Sequence, residues 1–138
     1  MPPLTRWFLR TALAWLVLAM VAGVAITVPT FGREALHAAL RPLWVHLLMV
    51  GWVTQMIFGV AWWMFPRPAP ARRFGNPVLG WSAYVALNAG LLLRALSEPA
   101  LATAPGPGVR AALVASAALQ FLATLAFAAT IWPRTRGT

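Results

Sequence analysis

The chain holds two histidines, His37 and His46, no cysteine, no aspartate, and only two glutamates, Glu34 and Glu98. That is a sparse inventory for chemistry. Paired carboxylates, a thiolate nucleophile, a credible serine–histidine constellation and a glycine-rich phosphate loop are all missing from the sequence, so hydrolysis and phosphoryl transfer have nothing to carry them. A lone metal ion needs three or four protein ligands, more than two histidines and no thiol supply. Haem is different: the porphyrin contributes four ligands, and the protein adds one or two axial groups, commonly histidine. His46 is the candidate for that role. The competing reading is an interfacial histidine held by hydrogen bonds, and copper on His46 and Met49 is the weakest alternative.

His46 lies near the front of the apolar run "WVHLLMVGWVTQMIFGVAWWMFPR", residues 44–67. At about 100° per residue, Val50, Val53, Ile57, Val60 and Met64 fall within about 40° of His46. They make an apolar strip below the imidazole, suited to a flat macrocycle or equally to lipid. Gly51, Gln55 and Gly59 fall on the opposite side, where small residues let a second helix approach. Arg41 and Arg94, with Arg33, are expected at the same end as His46, within reach of haem propionates. His37 sits in "GREALHAALRPLW", a short amphipathic stretch expected at the outer surface as a solvated histidine.

The elements that position these residues follow from hydropathy. The chain has 138 residues, 61% hydrophobic and 9% charged, with a mean hydropathy of +0.75. A soluble domain of this length needs more polar surface, whereas a membrane span needs about 20 apolar residues. Four such segments are expected, at about 7–28, 43–65, 78–96 and 110–132, and they are helices because an open sheet cannot satisfy its backbone in lipid. The expected fold is all-α: one integral membrane four-helix bundle filling residues 1–138 as a single transmembrane domain. Pro42 is placed in the first turn of the second span, Glu98-Pro99 ends the third, and Pro133 stops the fourth. "APGPG", residues 104–108, reads as a loop. The first run is too long for a signal-peptide core and lacks a small-residue cleavage site, so a retained span is expected.

The net charge of +9 comes from eleven arginines against the two glutamates. With no soluble module to bind nucleic acid, they read as topology signals at the bilayer surface. Seven (Arg6, Arg10, Arg67, Arg72, Arg73, Arg134, Arg136) fall at the end holding both termini and four (Arg33, Arg41, Arg94, Arg110) at the other. Both termini are therefore expected in the cytoplasm, with His37 and His46 toward the outer face. Gln55, Asn88 and Gln120 fall near the midpoints of three spans, a shared depth that predicts one interhelical hydrogen-bond cluster. Ser116, Gln120 and Thr124 add a weakly polar stripe on the last span.

The run "VHLLMVGWVTQMIFGVAWWMFP" resembles the second transmembrane helix of small relatives of the haem-copper oxidase catalytic subunit, namely the cbb3-type subunit I-like and NnrS-like membrane proteins. The shared features are His46, Gly51-Trp52, Gly59 and Pro66. "GWSAYVALNAGLLLRALSEPA", with Asn88 and Arg94, and "LQFLATLAFAATIWPRTR", with Trp132-Pro133-Arg134, are similar to the two helices that follow. The resemblance implies that His46 is an axial ligand of a haem b in a bacterial inner membrane. It further implies electron transfer or haem-ligand sensing, with a respiratory-chain redox partner. The additional histidines of a complete oxidase have no counterpart here, so a redox carrier is expected rather than an enzyme in its own right. The second axial group would be His46 of another copy in a dimer, His37, Met49, or none, and a trimer is also open. The alternative is a cofactor-free membrane subunit or assembly factor of a respiratory complex.

Overall fold

A computed structural model of the chain describes residues 1–28, 34–65 and 77–135. Four helices are present among them: α1 (Pro3–Thr27), α2 (Glu34–Met64), α3 (Pro77–Thr103) and α4 (Pro107–Thr135). All four are long and apolar enough to cross a bilayer, the architecture of a multi-pass membrane protein. Residues 29–33 and the proline-rich stretch 66–76, with Arg33, Arg67, Arg72, Arg73 and Pro66, lie outside the described residues, as does Arg136.

Each helix departs from its expected span, and prolines account for most of the difference. The amphipathic stretch 34–44 is not a separate surface element but the first part of α2, so Pro42 lies well inside the helix. Helix α3 runs through Glu98-Pro99 to Thr103, and α4 through Pro133 to Thr135. An internal proline removes one hydrogen bond and frees the carbonyl four residues earlier. Local contacts steady the turns concerned. Around Pro99, Ser97 donates to the Leu93 carbonyl at 2.7 Å and Arg94 bridges to Glu98 at 2.8 Å. Pro133 stands in the last turn of α4, where few backbone bonds remain to be lost.

The helices run antiparallel, up and down. One core cluster joins Leu4 and Phe8 of α1, Phe58 and Trp62 of α2, Ala83 and Leu87 of α3, and Ala123 and Phe127 of α4. The start of α1 and the end of α4 thus lie at one end, with the end of α2 and the start of α3. Phe58 stacks on Phe127 with centroids 3.7 Å apart and planes 5° from parallel, and Phe8 meets both rings edge-on. Toward the opposite end a second cluster joins Trp15, Ala19, Leu43, Leu47 and Leu91, drawn from α1, α2 and α3.

Helix α2 is not α-helical throughout. Residues Leu47–Thr54 form a π-helix, bonded i to i+5, with Thr54 Oγ1 donating to the carbonyl of Met49 at 2.7 Å. The spacing of the buried residues explains it. Leu43, Leu47, Gly51 and Gln55 recur every four positions, and four α-helical residues overshoot a full turn by about 40°. The wider π turn takes up that drift and keeps all four facing inward. The glycine face of α2 is as expected. A Cβ on Gly51 would lie 2.8 Å from Cβ of Trp15, and one on Gly59 would lie 3.0 Å from Cβ of Phe8, so α1 packs directly against this backbone.

Candidate functional site around His46

His46 is the last α-helical residue before the π segment and is half-buried. Its Nδ1 lies 2.9 Å from the carbonyl oxygen of Pro42, one turn earlier. A carbonyl only accepts, so this contact puts a proton on Nδ1 and leaves Nε2 as the ring nitrogen not engaged by Pro42. A histidine that ligates a metal is usually oriented by such a bond from its other nitrogen. In donor chemistry, His46 fits a single axial position at a haem iron.

The wall below it differs from the expected one. Each π residue advances by roughly 82° rather than about 100°, so eight of them lag an α-helix by roughly 145°. Ile57, Val60 and Met64 are carried off the His46 side and stand 58%, 38% and 70% exposed, beside Met49 at 57%. Val53 is half-buried on the same turned-away segment, while Val50 packs into both core clusters. The π segment therefore turns Val53 and Ile57 away from the angular positions that an ideal α-helix would give them, while Val50 packs toward the core.

The other residues expected at the site divide similarly. Arg94 Nη1 is bonded to Glu98 Oε1 at 2.8 Å, one turn apart on α3, so this guanidinium already has a carboxylate. Arg94 Nε and Glu98 Oε2 are buried without a hydrogen-bond partner. Glu98 lies in electrostatic range of His46 as well as of Arg94. Arg41 is exposed at the same end. His37 is nine residues before His46, roughly 13 Å along the helix and half a turn around it. Met49 follows His46 by three residues on that same helix. Among the described residues, no three His, Cys, Asp or Glu side chains are gathered to hold a metal ion.

The expected amide cluster forms in part. Gln55, fully buried, exchanges hydrogen bonds with Asn88 in both directions, at 3.1 and 3.3 Å. Trp15 Nε1 donates to Asn88 Oδ1 at 2.8 Å, and Thr11 Oγ1 reaches Gln55 Oε1 at 2.8 Å. Helices α1, α2 and α3 are thereby joined at mid-depth. Gln120 is not a member. It donates to Ser116 Oγ at 3.0 Å, and Ser116 donates to the Gly90 carbonyl at 2.7 Å. That second network joins α3 to α4, because Gly90 lets Gln120 Cγ within 2.9 Å of where a Cβ would stand. Thr124 of the polar stripe bonds only its own helix, at the Gln120 carbonyl.

One residue has a role that the sequence reading missed. Arg134, a topology signal by position, is 5% exposed and reaches across to the end of α2. Its Nη2 donates to the carbonyls of Trp62 and Phe65 at 3.2 and 2.9 Å, and the guanidinium carbon lies 5.4 Å from the Trp62 ring centroid. A cation from α4 thus caps the negative end of α2. Comparison with protein-family models, characterised proteins and solved structures finds no match to this chain.

Proposed function

We propose that the chain is a multi-pass protein of the bacterial inner membrane, with both termini cytoplasmic, that binds haem b through Nε2 of His46 and works as a homo-oligomer. The observation that carries this reading is the His46–Pro42 hydrogen bond, which leaves Nε2 as the ring nitrogen not engaged by Pro42, at the margin of a membrane helix. The resemblance of the surrounding run to the second helix of haem-copper oxidase relatives points the same way. A haem b so bound would supply one-electron redox chemistry, or a gas-binding position at its iron. His46 would hold it. A second axial ligand and an apolar wall would come from another copy, since His37 and Met49 share the helix of His46. The purified full chain should then be red, and its Soret band should disappear in His46→Ala. Colourless protein from haem-replete cells, with no spectral change on adding haem, would overturn the reading.

A second reading is favoured by the Arg94–Glu98 pair and by the turned-away strip: a cofactor-free subunit or assembly factor of a respiratory complex. In that case the polar interior serves only to hold the helices together. His46→Ala would leave folding and partner association unchanged, and the oxidised-minus-reduced spectrum of the wild type would be flat.

A further inference from the structure

The outer face of α1 carries a pattern that the core does not use. Arg6 and Arg10 are exposed, and Leu13, Val17, Val21 and Val24 follow at 52%, 62%, 61% and 65% exposure. At about 100° per residue, all of these lie within roughly 60° of Arg10. The buried residues of the helix, including Phe8, Ala12, Trp15 and Ala19, lie on the other side. The face is thus a cationic head followed by a straight apolar stripe. Its length is informative: Leu13 to Val24 spans roughly 16 Å at about 1.5 Å per residue, close to half of a hydrocarbon core of about 30 Å.

Charge decides what can cover it. Two arginines one turn apart repel each other, and the chain's two carboxylates cannot relieve them. Glu34 begins α2 and Glu98 lies near the end of α3, both at the opposite end of the bundle. A second copy packed symmetrically through this same face would bring its own Arg6 and Arg10 to it, adding cations rather than neutralising them. We infer that the outer face of α1 is a site for an anionic phospholipid of the leaflet on the terminal side. The phosphate would sit between Arg6 and Arg10, with one acyl chain along Leu13, Val17, Val21 and Val24. A guanidinium suits this task, because its planar fork binds phosphate oxygens in pairs.

The test uses the full chain in neutral detergent micelles, with phosphatidylglycerol or phosphatidylcholine added and retention read by native mass spectrometry. Each arginine near an anionic surface contributes about 1 kcal/mol. The double variant Arg6→Gln/Arg10→Gln should therefore bind phosphatidylglycerol roughly 30-fold more weakly than wild type. Arg110→Gln, exposed at the other end, should bind as wild type does. Equal retention of the two lipids by wild type, or undiminished phosphatidylglycerol binding by the double variant, would overturn the site. Displacement of the lipid by inorganic phosphate would assign the arginines to a soluble anion instead. Efficient disulfide cross-linking of Val17→Cys between copies in a bilayer would give the face to a second copy, and the absence of native cysteine makes that product unambiguous.

Discussion

Gln55 and Asn88 give and receive one amide hydrogen bond each, at 3.1 and 3.3 Å, between helices whose paired residues are 33 positions apart. Inside hydrocarbon a lone amide is expensive, and mutual pairing is the arrangement that leaves the fewest polar atoms bare. Interhelical bonds of this kind contribute about 0.6–2 kcal/mol. Asn88→Leu is expected to destabilise the bundle by about 1–3 kcal/mol, because Gln55 Nε2 and Trp15 Nε1 both lose their acceptor. Adding Gln55→Leu should cost less than the sum of the two single changes. Reversible unfolding in mixed micelles, run as a double-mutant cycle, checks the coupling, and strict additivity would contradict it.

Gly51→Ala should separate α1 from α2. The new methyl would meet Cβ of Trp15 at 2.8 Å, an atom fixed to the α1 backbone, so the helices rather than a rotamer must move. Overpacking of this sort costs about 1–3 kcal/mol. Gly106→Ala is the matched control, since nothing lies within 4 Å of its added carbon. The two variants should differ clearly in thermal midpoint, with Gly106→Ala at the wild-type value.

Glu98→Gln and Arg94→Gln are each expected to destabilise, since each strands a largely buried charge whose partner stands 2.8 Å away. Removing one member of a buried pair is harsher than removing both. The double variant should therefore recover stability relative to either single one in the same micelle assay. If it is worse than both, the pair is not the relevant interaction.

Arg134→Gln should loosen the last turn of α2 by about 1–3 kcal/mol, the scale for leaving buried acceptors unpaired. Arg134→Lys keeps the charge but lacks the fork that spans two carbonyls, so it should restore only part of the loss. Limited proteolysis after residue 62 and a shift in Trp62 emission would report the opening. Resistance equal to wild type in both variants would refute the cap.

The four helices and the glycine face of α2 were legible because hydropathy and a 3.6-residue period encode them directly. The pairing of Gln55 with Asn88 was legible from shared depth. The placement of Gln120 was not, because depth says nothing of which side of α3 a residue meets, and Gly90 draws it to the α4 side. The angular register below His46 was not legible, for a different reason. Leu43, Leu47, Gly51 and Gln55 already show the four-residue spacing that an α-helix cannot keep on one face, but an ideal 100° wheel conceals the remedy. Pro42, Pro99 and Pro133 read locally as boundaries, whereas packing and capping contacts carry the helices through them. Arg134 depends on a partner 72 residues away and leaves no local trace.

That last contact has a consequence for synthesis. The carbonyls at the end of α2 are closed by a side chain from the last turn of α4. Until the final turn of α4 has left the ribosome and entered the membrane, α2 waits with a frayed end. The nascent chain can therefore insert its first three helices early, but the end of α2 is closed only once the last turn of α4 has been made and packed.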